Sequence, residues 1–157
     1  MSTLHHDIAI LMMDKCFEFD QNTGSVCLPV APADPVRNPS LEAYWKVQEN
    51  GAATMFADIL SVQRASSCRL RLGDASFDSR ASFCGMGAAT CKDDSATPVF
   101  SRGTDGRGLL AGILSYSADC ASSSAAKVFT RVDIYVPWIK ENLRRYEIYE
   151  PLLLAVL

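Results

Sequence analysis

The chain has 157 residues, 48% of them hydrophobic and 21% charged, with a formal net charge of −3, the size and balance of one ordinary globular domain. The mild negative charge and the lack of any Lys/Arg run argue against a nucleic-acid partner. No apolar stretch approaches the roughly 18 residues of a membrane span, so no membrane association is expected.

The N-terminus carries no basic segment followed by an apolar core, and hence no recognisable secretory signal. Asp7-Ile8-Ala9-Ile10-Leu11-Met12-Met13 is a short apolar run behind an acidic residue, which reads as a buried strand. His5 and His6, the only histidines, precede it; neighbours on one strand diverge to opposite faces, so the pair is a poor metal site. Residues 20–24 form a turn, and the proline-rich stretch 31–39 is a surface connection.

From Tyr44 to Val132, short apolar runs are broken by Gly, Asn, Asp and Ser at intervals of about ten residues, an all-β signature. Candidate strands are 43–47, 53–62, 82–86, 98–100, 109–116 and 127–131, with a hairpin turn over 104–108. Six strands suit one closed barrel. One helix follows, in which Val132, Tyr135, Val136, Ile139 and Leu143 recur at three- and four-residue spacing and Pro137 sits near the start. The apolar tail Leu152-Leu153-Leu154-Ala155-Val156-Leu157 is too short to cross a bilayer; it is expected to pack on the helix or hang loose. Six cysteines suggest an oxidising compartment, and none has Cys-x-x-Cys spacing, which favours disulfides over zinc. Neither metal nor cofactor is expected.

The stretch Cys91-Lys92-Asp93-Asp94-Ser95-Ala96-Thr97-Pro98 carries the chemistry. Taken with Phe83-Cys84-Gly85 before it and Gly112-Ile113-Leu114-Ser115-Tyr116-Ser117, Cys120 and Lys127–Val132 after it, it resembles the nucleophile region of trypsin/chymotrypsin-family serine proteases. The family pattern is Cys-x-Gly-Asp-Ser-Gly-Gly-Pro; Asp94, Ser95 and Pro98 match it, while Asp93, Ala96 and Thr97 replace three glycines. Asp7-Ile8-Ala9 resembles the segment that supplies the triad aspartate, Val26-Cys27-Leu28-Pro29 the segment leading to the second barrel, and Val136-Pro137-Trp138-Ile139 the terminal helix.

The resemblance implies an all-β, chymotrypsin-like antiparallel barrel, the C-terminal half of that fold, with a C-terminal α-helix. Residues 1–21 would be a remnant of the first barrel carrying the aspartate strand, 22–146 the second barrel and its helix, and 147–157 a tail. It makes Ser95 the nucleophile, Asp7 the acid that orients the base, and Asp93, Asp94 and Ser95 the oxyanion region. Ala89, Ser115, Tyr116, Ser117 and Lys127 fall on the substrate pocket. Cys91–Cys120 and Cys68–Cys84 are the implied disulfides, each contributing on the order of 3 kcal/mol in the chain-entropy model. Cys16 and Cys27 either pair with each other or remain free thiols. Partners would be protein or peptide, with an apolar face exposed where the first barrel packs in the family. The setting would be extracellular.

Departures from the pattern bear on activity. Acyl transfer by serine needs a base, an acid to orient it and donors for the oxyanion, and neither His5 nor His6, both adjoining Asp7, is placed to be the base. Asp93 puts a carboxylate where a glycine N–H should meet developing negative charge. Ala96 and Thr97 stand where glycine permits close approach or unusual φ, and Asp94 lacks the terminal ammonium it meets in activated family members. Ala89 in place of an acid argues against cleavage after Lys or Arg. Lys127 either fills the pocket, presents a cation to an acidic side chain, or turns to solvent. Three readings stand: part of a serine endopeptidase whose longer form cleaves peptide bonds, an inactive homologue that binds proteins, or a residual motif without present function.

Overall fold

The computed structural model describes residues 6–29, 37, 40–49, 52–73, 77–87, 96–103, 105–117, 124–145 and 155–156. In chain order the elements are β1 (Ile10–Leu11), β2 (Ser40–Glu49), β3 (Ala52–Gln63), α1 (Ala65–Leu72), β4 (Ser82–Met86), β5 (Pro98–Arg102), β6 (Gly108–Ser117), β7 (Lys127–Arg131), a 3-10 turn (Asp133–Tyr135), α2 (Val136–Arg145) and β8 (Ala155–Val156). Every strand of the expected barrel is present, two of them with the expected bounds.

Alternation builds the sheet. On β2, Leu41 and Ala43 are buried while Glu42 and Tyr44 are half-buried, the two-residue period of a strand with one face on a core. Six antiparallel strands close in the order β2-β3-β4-β7-β6-β5. Closure comes from β5, which pairs with β2 through Glu42↔Phe100 and Ala43↔Val99 and with β6 along its whole length. The seam is clasped from outside, where both Arg102 Nε and Nη2 donate to the Glu42 carboxylate at 2.9 and 2.8 Å and the Tyr44 hydroxyl donates to it at 2.8 Å. Arg102, and secondarily Tyr44, holds the Glu42 carboxyl below its ordinary pKa.

The barrel interior is filled by Leu41, Ala43, Leu60, Phe83, Val99, Leu114 and Phe129, with the Phe83 and Phe129 rings stacked at 5.3 Å. Gly112 lets that pair approach the backbone: a Cβ there would lie 2.6 Å from two Phe83 ring carbons. A second cluster, Cys68, Phe77, Cys84, Ala126 and Val128, lies under α1. A third, Leu110, Ile113, Val132 and Ile139, lies under α2 and receives Ile8 and Ile10 from the N-terminal segment.

Two features differ from expectation. Helix α1 carries no apolar stripe, since Cys68 is its buried residue while Leu70 is exposed. It is held instead by the Cys68–Cys84 disulfide, with Cα atoms 5.9 Å apart, and ends at Gly73 in the left-handed region. That is the expected second disulfide, whereas Cys91 and Cys120 lie outside the described residues. Cys16 and Cys27 are both free thiols. The tail, expected on the helix or loose, instead pairs antiparallel with the N-terminal strand, Ile10 with Val156 and Leu11 with Ala155. The apolar run at 7–13 therefore has a sheet partner, though Leu11, Met12 and Met13 remain exposed.

We expect Gly112→Ala to destabilise the chain by about 2 kcal/mol through overpacking against Phe83. The measurement is a lowered urea midpoint at unchanged m-value; a neutral substitution would mean the rings do not close on the backbone at this point.

Candidate active site

Strands β6 and β7 are in register on both sides of Ser115 but not at it: Leu114 pairs with Phe129 and Tyr116 with Val128. Ser115 is thus the extra residue of a β-bulge, a device that re-aims a side chain out of the alternating pattern. Its hydroxyl donates to Asp7 Oδ2 at 2.5 Å. One strand over, the Thr130 hydroxyl donates to the Asp7 main-chain carbonyl at 2.8 Å. Both ends of Asp7 are therefore fastened to the barrel, and the hydroxyl-to-carboxylate bond is of the stronger, charge-assisted kind.

His6 adds a third fastening. Its Nδ1 stands 2.7 Å from the Tyr135 hydroxyl, the two rings meeting edge to face at 5.9 Å. Its backbone is left-handed, at φ 61°, and its carbonyl accepts the Ile8 N–H at 2.9 Å. A non-glycine residue in that region costs on the order of 1–3 kcal/mol and persists only where surrounding contacts over-determine it. Burial, then the Asp78 charge, raises the Tyr135 pKa, so its hydroxyl stays protonated.

Ser95, Asp93, Asp94, Cys91 and Ala89 lie outside the described residues. The chain is described again from Ala96, whose N–H donates to the Leu114 carbonyl at 2.9 Å, while the Leu114 N–H donates to the Thr97 carbonyl at 2.9 Å. The residue that follows Ser95 in sequence is thus laced to the residue that precedes Ser115. Ala96 has φ 70°, the unusual conformation for which glycine is suited; Thr97 is not among the positive-φ residues, so of these two replacements the strain falls on Ala96. Left-handed geometry costs an alanine roughly 1–2 kcal/mol.

The expected pocket wall divides into two. Ser115 gives its hydroxyl to Asp7, a role that sequence reasoning did not assign, and Tyr116 and Ser117 are half-buried beyond the bulge. Lys127, paired with Ser117 on one side and Gly85 on the other, is 0% exposed. The solvent-facing alternative for Lys127 is ruled out. Among the described residues no cluster of His, Cys, Asp and Glu side chains could hold a metal ion, and no helix is long and apolar enough to cross a membrane. Thr130 and Tyr135 were not foreseen; as Thr and Tyr within apolar runs, each carries an ordinary core pattern.

Tyr135→Phe removes the hydroxyl that meets His6, and we expect the Ile8 amide to lose hydrogen-exchange protection while β6 amides keep theirs, with about 1 kcal/mol of stability lost. Ala96→Gly acts in the opposite direction. Relief of the left-handed alanine outweighs the added freedom of the unfolded glycine, so thermal stability should rise, by roughly 0.5–1 kcal/mol; a fall in Tm would contradict the strain.

The sequence model of the Trypsin family matches residues 1–139. The chain is 28% identical over 152 residues to serine proteinase stubble of Drosophila melanogaster, covering 90% of this chain and 19% of that protein. It is 27% identical over 147 residues to phenoloxidase-activating factor 1 of Holotrichia diomphalia, covering 89% and 40%. It is 32% identical over 156 residues to coagulation factor XII of Rattus norvegicus, covering 89% and 26%. The chain thus spans well under half the length of these relatives. A six-stranded antiparallel barrel with a C-terminal helix is the chymotrypsin-like architecture, and with the family match over most of its residues the chain belongs to the trypsin family of serine proteases.

Proposed function

We propose that this chain contributes the acid, nucleophile and specificity half of a serine endopeptidase domain, and that peptide-bond hydrolysis belongs to a longer form supplied with a histidine base. The observation that carries this reading is the Asp7 carboxylate on the Ser115 hydroxyl, at the bulge next to the residue that laces Ala96. Asp7 orients the base and Ser95 attacks the scissile carbonyl, with Asp93, Asp94 and Ser95 framing the oxyanion. Ala89, Tyr116, Ser117 and Lys127 line the pocket, where a buried lysine excludes basic side chains and either closes the cavity or meets an acidic one. The His6 ring is taken up by Tyr135 and so is not free to serve as the base, and His5 lies outside the described residues. Exposed Leu11, Met12, Met13, Phe17 and Phe19 suit the packing of another barrel or a partner protein. The Cys68–Cys84 bond suits an extracellular setting.

A second reading, an inactive homologue that binds proteins, is favoured by Ala96. An alanine at φ 70°, together with Asp93 in place of a glycine, strains and charges the loop beside the nucleophile.

Both readings make this chain alone inactive. Without a base Ser95 is a neutral hydroxyl and a poor nucleophile, and loss of the serine or the histidine of such a triad costs about 10⁶ in rate. Purified chain treated with a fluorophosphonate probe and with acidic, apolar and basic peptide substrates should show neither labelling nor turnover above Ser95→Ala. Labelling that disappears in Ser95→Ala would overturn the claim. The two readings part in the longer form: Ser95-dependent hydrolysis supports the endopeptidase, and its absence with the base present supports the homologue.

A further inference from the structure

On the far side of β7 from Asp7 lies a cleft of about 230 Å3, bounded by the start of α1, the residues before β4 and the end of β7. Its lining is apolar at Phe77 and Phe83, both almost wholly buried, and its walls carry Arg64, Arg131, Ser79 and Ser82. Thr130 and Arg131 are successive residues on β7, and successive strand residues face opposite ways. Thr130 holds Asp7 while Arg131 faces the cleft, so the two sites are separate.

The cations of this wall are not equivalent. Arg131 is clasped by Asp133, donating from Nε at 3.0 Å and Nη2 at 2.6 Å, and most of its charge is compensated there. Arg69 donates to the Ser79 hydroxyl and so fixes one wall, and Arg80 pairs with Asp78. Arg64 is exposed at the rim, and among the described residues no carboxylate meets it. The cleft therefore joins an uncompensated guanidinium and two hydroxyls to an apolar lining. Small-molecule sites run to about 300–1,000 Å3, so this space suits one side chain rather than a nucleotide or a drug-sized ligand.

We propose that the cleft is an exosite for an acidic side chain of a protein partner or substrate, whose carboxylate meets Arg64 while its methylenes lie along the apolar lining at Phe77. This docks a protein away from the nucleophile and does not depend on hydrolysis. With a net charge of −3 on the whole chain, general attraction to an anionic peptide is absent, so binding must come from this local arrangement.

The test uses the full chain immobilised on a sensor surface and a terminally blocked hexaglutamate peptide at low salt. Arg64→Gln should weaken binding by about tenfold, the loss of one charge-assisted hydrogen bond, whereas Arg71→Gln, on the last turn of α1 outside the cleft, should change it less than twofold. Blocked hexaglutamine should not bind. Equal losses in Arg64→Gln and Arg71→Gln would show a diffuse basic field and overturn the proposal, as would no binding at all. Displacement of the peptide by millimolar inorganic phosphate as effectively as by free peptide would assign the site to small anions and overturn it equally.

Discussion

A barrel has no free edge only if its last strand finds its first, and here that closure rests on one short strand. β5 spans five residues and serves two neighbours, meeting β2 through two residue pairs and β6 through five. The Glu42–Arg102–Tyr44 clasp lies over the short seam, where hydrogen bonds to a charged carboxylate reinforce a two-pair ladder. The candidate active site stands on the strands that follow from this seam around the barrel. Ser115 stands on β6 and Thr130 on β7, and Ala96, which follows Ser95 in sequence, leads into β5.

The acid is not built into the sheet that holds it. Asp7 precedes a two-residue strand paired with the tail, and it reaches the barrel through hydroxyl groups rather than through a backbone ladder. Side-chain attachment lets a segment from outside the barrel bring its carboxylate to a bulge within it. It also makes the placement depend on a few bonds: Thr130 sets the main chain, Ser115 the carboxylate, and the Tyr135–His6 contact maintains a left-handed turn just before them.

Strands were legible because burial on one face writes a period of two into the sequence, as in Leu41, Ala43 and their half-buried neighbours. The motif order, Asp7 before Ser95 before Lys127, was legible as a family resemblance. What was not legible had no local pattern. Helix α1 buries one cysteine and is fixed by a covalent bond, so no helical stripe announced it. The bulge at Ser115 depends on register between β6 and β7, which side-chain identity at one position does not encode. The tail has six apolar residues in a row, a pattern that fits helix, strand or loose end equally well, and the partner of its two-residue strand lies near the other end of the given sequence.

That distance has a kinetic meaning. Ser115 lies 108 residues from Asp7, Thr130 lies 123 residues from it, and His6 and Tyr135 are 129 apart. Contacts of such separation close some of the longest loops in the chain and reward the loss of chain entropy only after nearer pairings have formed. The hairpins β2–β3 and β5–β6 are local and can form early, whereas the hydroxyls that receive Asp7 come into place only when β6 and β7 are already paired. The segment that carries Asp7 is therefore among the last to be seated, and its carboxylate reports on whether β6 and β7 have paired.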